Sequence, residues 1–256
     1  MDPSKLFDDG RRVHIYEEID STNLEAVRYA REYLPSDIEV FLARRQSAGR
    51  GRLGRSFVSE GGAGIYLSIL VPSKMYNAGA LTAHTAIALS LTLDSLLGTE
   101  TKIKWVNDIY LSGKKLAGIL VEAVTSTDGN ITHFVVGMGI NVYKNAITAE
   151  ISDIATSLED CGISVDDTDA LACEIVNGFI RYALTDPDAD YLLSEYRRRS
   201  MPSGTLIDIL PVAGEPYEAS VLGINDDFTL SVRLAGGEVR SLCSGEVKTR
   251  IKRSAH

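Results

Sequence analysis

The stretch "RRQSAGRGRLGRSF", residues 44 to 57, decides the fold. Five arginines and three glycines fall in the twelve residues from Arg44 to Arg55. Gly49-x-Gly51-x-x-Gly54 also matches the spacing of a dinucleotide-binding fingerprint. That reading requires a strand, the glycine loop, a helix, and an acidic residue about 20 positions further on. Here the residues after the glycines, Ser56 to Val71, read as loop and strand. No Asp or Glu occurs between Gly61 and Leu93. A kinase glycine loop fails too, since Ser56 stands where its valine belongs and no H-R-D or D-F-G follows. A Walker lysine is also missing. The fingerprint is a coincidence of spacing.

The arginines stand out because the chain is acidic. Its 256 residues carry a net charge of −9, with 45% apolar and 24% charged residues, a globular composition. Such a surface repels nucleic acid and anionic membrane, so any anion site must be a local concentration of positive charge. An RNA-binding loop is the plain alternative. A single-strand site interleaves aromatics for base stacking, however, and only Phe57 is near. The flanking strands are strongly apolar, which anchors this loop in a core at both ends.

Cys161, Cys173 and Cys243 have no C-x-x-C spacing, and His14, His84, His133 and His256 are scattered. This points to reduced thiols in a cytoplasmic protein, with neither a disulfide frame nor a histidine metal site. The N-terminus is no signal peptide. Residues 75 to 93 carry no charge, but Asn77, Thr82, Thr85, Ser90 and Thr92 interrupt the run. A buried helix is expected there, and no membrane association.

Around the loop, "RRVHIYEEIDSTNLEAVRYAREYL" (11–34) reads as a strand turning into a helix, with Thr22-Asn23-Leu24-Glu25 as a capping box and Leu24, Val27 and Tyr29 or Ala30 on its apolar face. "IEVFLARRQ" (38–46) and "GIYLSILV" (64–71) read as strands, the second buried on both faces. A helix to Gly98 follows. "KIKWVNDIYLSGKKLAGILVEAV" (102–124) is a hairpin turning at Ser112-Gly113. "THFVVGMGINV" (132–142) is a strand whose Gly137 and Gly139 mark a bulge or a close approach by a ligand. Helices are expected at roughly 153–161 and 168–184, with a third running to about Arg199. Beyond Pro202-Ser203-Gly204, five short strands suggest a small SH3-like barrel. The domains are therefore set at 1–202 and 203–256.

"DSTN" (20–23), "GRGRLGR" (49–55), "KWVNDIYLSGKKLAGILVE" (104–122) and "GMGINV" (137–142) together resemble the signatures of biotin protein ligases, in order and spacing. The resemblance implies an α+β fold: a central mixed/antiparallel sheet flanked by helices, of the class II aminoacyl-tRNA synthetase/biotin ligase kind, with a C-terminal SH3-like small β-barrel. Two positions depart from it: Val106 replaces the usual proline and Phe57 the usual tryptophan. Valine keeps the strand apolar, and phenylalanine keeps an aromatic face but loses an N–H donor. Relatives that also repress transcription carry an N-terminal helix-turn-helix. About a dozen residues precede the first strand here, so DNA binding is not expected.

The implied reaction makes biotinyl-5′-AMP and pyrophosphate from biotin and ATP, then passes biotin to a lysine of a biotin carboxyl carrier protein. Joining a carboxylate to an α-phosphate brings two anions together, so the site must supply positive charge. By motif position, Arg52 and Lys115 are the catalytic candidates. Arg50 and Arg55 would hold the nucleotide or close the loop, with Gly49 letting backbone approach. For Lys114-Lys115 the plain alternative is a polar hairpin turn. Asn107 and Asp108 could orient phosphates, Asp108 through Mg²⁺; a strand-end turn is the alternative. Ser21, Thr22 and Gln46 match biotin-binding positions, with helix capping as a second role for the first two. Gly118 and Ile119 would present backbone to biotin, and Phe57 and Asn141 would face the adenylate. Without ligand, Arg50 to Phe57 is expected to be mobile and to order on binding.

Lipoate or octanoate ligases are the nearest rival, but their loop carries a glycine triplet and a histidine-containing segment. This chain has no histidine from 15 to 83. A nucleic-acid-binding protein is the more distant one. The sequence leaves a homodimer and the role of the C-terminal strands open.

Overall fold

The computed structural model describes residues 12–51, 57, 59, 61–75, 80–185, 188–200, 202–211, 214–243 and 247–251. Seven strands form one mixed sheet: β1 (Arg12–Ile19), β2 (Glu39–Gln46), β3 (Gly64–Pro72), β4 (Lys102–Lys104), β5 (Asp108–Leu111), β6 (Lys114–Thr125) and β7 (Ile131–Asn141). Their order is β1-β2-β3-β7-β6-β5-β4. Only β1 and β2 are parallel, because the helix α1 (Thr22–Tyr33) carries the chain from one to the other. The neighbours after β2 pair antiparallel.

Both faces of the sheet centre are covered, which is why β3 reads as a continuous apolar run: eight of its nine residues are buried. One face packs α1 through Ala26 and Ala30 against Phe41, Leu70, Val124 and Val135. The other packs α2 (Leu81–Leu97) and α3 (Thr168–Phe179). The uncharged run is thus a buried helix, as expected, with eleven buried residues, and Gly98 ends it in the left-handed region. Two of its hydroxyls are satisfied within the helix, Thr85 and Thr92 donating to the carbonyls of Leu81 and Ala88 at 2.7 and 2.8 Å, and Ser90 pairs with Thr101 at 2.6 Å. Among the described residues no helix is long and apolar enough to cross a membrane.

Three local expectations need correction. Ser21, not Thr22, is the N-cap of α1, and it makes no side-chain capping bond. Thr22 is drawn instead toward Gln46, and Glu25 to Arg28 and Tyr16. Tertiary partners outcompete the local box. Residues 153–161 are turns ending in a short 3-10 helix (Glu159–Cys161), because this segment pairs its backbone with Lys115 rather than with itself. Val106 lies in the turn between β4 and β5, buried, with its carbonyl accepting from the Tyr196 hydroxyl at 3.3 Å.

After α4 (Ala189–Arg199) come β8 (Leu206–Pro211), β9 (Tyr217–Ile224), β10 (Leu230–Leu234), β11 (Val239–Leu242) and β12 (Val247–Ile251). They form a second, antiparallel sheet of order β11-β10-β9-β8-β12. Five short strands are present as expected, but the described residues form an open sheet and not a closed barrel. Its β9–β10 turn docks on the β4–β5 turn and on α2 and α4. Trp105 Nε1 donates to the Phe228 carbonyl at 2.9 Å, and the Phe228 ring meets His84 and Tyr196 edge-on at 5.0 and 5.4 Å. Burial there pushes the His84 pKa down and the Tyr196 pKa up. Phe228→Ala is expected to cost about 3–5 kcal/mol, as for other buried Phe truncations. A denaturant titration checks this; a loss under about 1 kcal/mol would mean the turn only touches the core.

Candidate functional site

Rows of side chains across the sheet explain where the cleft lies. On the face carrying α1, one row runs Phe41, Ser68, Gly137, Leu120, and the next runs Ala43, Tyr66, Gly139, Gly118, Asp108. Small residues at the middle of both rows leave a slot that larger ones would fill. A Cβ on Gly137 would collide with the amide of Asn23. One on Gly139 would lie 2.6 Å from the Phe57 ring, and one on Gly118 3.1 Å from Lys115 Nζ. The strand glycines, expected to mark a bulge or the approach of a ligand, instead admit side chains of this chain, Asn23 and Phe57.

The slot opens into a solvent-facing cleft. Four segments surround it. The start of α1 brings Ser21, Thr22 and Asn23; the loop stems bring Gln46, Arg50, Gly51 and Phe57; the hairpin brings Asn107, Lys115, Gly118 and Ile119; β7 brings Gly137 and Gly139. Gly49 stands just behind, its carbonyl accepting from Phe57 N at 2.8 Å, so the loop is pinched shut at its base.

Hydrogen bonds fix the polar groups. Gln46 Oε1 accepts from Thr22 N and Oγ1 at 2.9 and 3.2 Å, and Gln46 Nε2 donates to Ser59 Oγ at 2.9 Å. Asn107 is tied to Ile119 twice, by its carbonyl and by its Nδ2, both at 2.9 Å. Lys115 Nζ lies 2.7 Å from Asp108 Oδ1, and Arg50 pairs with Glu122 at 3.1 Å. Both pairs are partly exposed, so they contribute little to stability. Their value is to hold cations in place at the cleft. Lys115 is also fixed through its backbone: its N–H donates to Ile154 O and its carbonyl accepts from Thr156 N, both at 2.9 Å.

The structure therefore brings together Ser21, Thr22, Gln46, Arg50, Phe57, Asn107, Lys115, Gly118 and Ile119, with Asp108 and Gly49 adjoining. Asn141 is buried behind the cleft and donates to Thr156 O at 3.1 Å, steadying the segment that holds Lys115. Arg52 and Arg55, and most of the segment expected to be mobile, lie outside the described residues. Among the described residues no group of three or more His, Cys, Asp or Glu could hold a metal. Asp108 is the carboxylate nearest the cleft's lysine. Reasoning from sequence missed Asn23, Ser59, Ser68, Glu122 and the 151–156 segment as parts of the site. Asn23 and Glu122 were inside recognised motifs, but nothing local to either signals its partner.

A profile described as the "Biotin/lipoate A/B protein ligase family" matches residues 17–141. A bifunctional ligase/repressor BirA from Bacillus subtilis is 34% identical over 153 residues, which are 58% of this chain and 46% of that protein. A biotin–[acetyl-CoA-carboxylase] ligase from Mycobacterium tuberculosis is 29% identical over 247 residues, 93% of this chain and 88% of that one. The chain thus spans about half the length of the bifunctional relative and most of the other. The solved biotin protein ligase from Aquifex aeolicus, in complex with biotin and ATP, superimposes with a TM-score of 0.77 at 25% identity, covering 94% of this chain and 99% of that one.

Proposed function

We infer, from a chain whose residues 17–141 match the biotin/lipoate A/B protein ligase family, that the protein activates biotin with ATP and transfers it to a carrier-protein lysine. The observation that carries this reading is the glycine-floored cleft holding Thr22, Gln46, Arg50 and Lys115 together. The Aquifex aeolicus ligase, similar over nearly its whole length, supports it.

In the first step a biotin carboxylate oxygen bonds to the α-phosphorus of ATP, and the bond to the β-phosphate oxygen breaks, releasing pyrophosphate. In the second, a carrier lysine amine forms a C–N bond at the biotinyl carbonyl, loses a proton and expels AMP. Phe57, Ile119, Leu120 and Met138 beside the fixed polar groups would suit biotin's bicyclic ring. Gln46 and Thr22, already locked to each other, and Ser21 would bond its ureido group, while Gly118 and Ile119 offer backbone. Lys115 would leave Asp108 for the joined carboxylate and α-phosphate, sharing their charge with Arg52 and Arg50. Phe57 and Arg55 would contact the nucleotide, with Asn107 and Asn141 shaping the cleft. Mg²⁺ would reduce charge on the phosphates, and Asp108, freed from Lys115, is the group that would contact it.

We read residues 1–202 as the catalytic domain and 203–256 as a second, small antiparallel-sheet domain. The three free cysteines fit a cytoplasmic enzyme. The test is direct: incubate the protein with ATP and either biotin or lipoate, follow pyrophosphate, and locate biotin on a carrier domain by mass spectrometry. Biotin-dependent release and one labelled lysine are expected. Release with lipoate but none with biotin would reject the assignment.

A further inference from the structure

We propose that Glu122 is a positioning residue for Arg50, held in that role by a buried polar relay through Asn23 and Ser68. The proposal rests on the ligase reading for its kinetic consequence, but the relay itself is structural.

The relay begins with the row Ser68–Gly137–Leu120, where two small neighbours open a hole in the sheet face beneath α1. Asn23, the last residue of "DSTN", fills that hole, and Gly137 admits its amide because a Cβ would strike it. Asn23 Nδ2 reaches Glu122 Oε2 at 2.9 Å and Leu120 O at 3.4 Å, both of which can only accept. This orients the amide, so Oδ1 must face a donor. Ser68 supplies one, its Oγ 2.6 Å from Asn23 Oδ1 and 2.8 Å from Thr22 Oγ1. Ser68 has no exposed surface, so its hydroxyl would cost free energy if unpaired.

At the other end, Glu122 accepts two hydrogen bonds and an ion-pair contact. Besides Asn23, Arg50 approaches Oε1 at 3.1 Å and Oε2 at 3.3 Å, one guanidinium nitrogen to each oxygen. A carboxylate so occupied has one orientation, and the paired geometry transmits it to the arginine. Arg50 needs this, since it sits between Gly49 and Gly51 and has a long side chain with many rotamers. On the other stem, Thr22 and Gln46 lead through Ser59 to the Phe57 carbonyl, at 3.1 Å from Ser59 Oγ. One chain of polar contacts thus seats both stems of the Arg/Gly loop on the floor of the cleft. Holding Arg50 ready before binding lowers the ordering cost that the substrates would otherwise bear.

The test is a double-mutant cycle on the full chain with Glu122→Gln, Arg50→Gln and both together. Pyrophosphate release is followed with biotin and ATP varied separately, beside thermal unfolding. Glu122→Gln keeps the shape and removes the charge, and is expected to lower kcat/KM for biotin about tenfold with little change in Tm. In the Arg50→Gln background the same substitution is expected to do almost nothing. An equal tenfold loss in both backgrounds would overturn the positioning role. If the unsubstituted protein releases no pyrophosphate with biotin, the ligase reading fails instead. The relay is then read from the Tm values of Asn23→Ala, Ser68→Ala and their double variant, since both side chains are buried: less than additive losses support it, and additive losses overturn it.

Discussion

Lys115→Met is expected to fold as the unsubstituted protein does and to lose biotin-dependent pyrophosphate release by about 10²–10³-fold, the cost of removing one preorganised donor from developing charge. Methionine keeps the apolar stem of the side chain, so the hairpin packing survives. Losing the Lys115–Asp108 pair changes stability little, because both partners are partly exposed. The backbone bonds of residue 115 to Ile154 and Thr156 do not involve the side chain and remain. Loss of rate without loss of Tm is the pattern to look for. Near-normal release would place the lysine outside the chemistry and restore the polar-turn reading of Lys114-Lys115.

Gly139→Val is expected to raise the KM for biotin by about 100-fold or more, as a large loss of ground-state binding would. The Cβ alone would lie 2.6 Å from the Phe57 ring, and the valine methyls reach further into the slot. Phe57 can swing away, since its ring is the far end of a side chain on a loop stem, so the fold should tolerate the change. The slot cannot, because its depth comes from the absence of side chains at Gly118 and Gly139. Calorimetric titration with biotin gives the answer. Unchanged affinity would mean that ligand does not use the glycine floor, and would move the biotin site elsewhere in the cleft.

Much of the fold could be read from local patterns, for reasons the structure makes plain. β3 and α2 lie in the core, so burial imposes continuous apolar runs that signal a two-faced strand and a buried helix. The Ser112-Gly113 turn sits where backbone geometry demands it, with both residues at positive φ. The resemblance to biotin protein ligases, carried by four motifs in order, agrees with the relatives and with the Aquifex aeolicus structure. Where patterns misled, a distant partner had won. Thr22 fits a capping box by its neighbours, yet Gln46, 24 residues away, takes its side chain. Residues 153–161 have no strand-like alternation, yet Ala155 bridges to Lys115.

The sequence by itself determined the residue types of the cleft, the glycines that leave it open, and the order of elements around it, because these depend on local backbone and burial. Only the tertiary structure decided which charges meet. The pairing of Arg50 with Glu122, 72 residues apart, and the seating of Asn23 over Gly137 depend on strand register. Register sets which side chains share a row across the sheet, and it arises from the packing of the whole core rather than from any one segment.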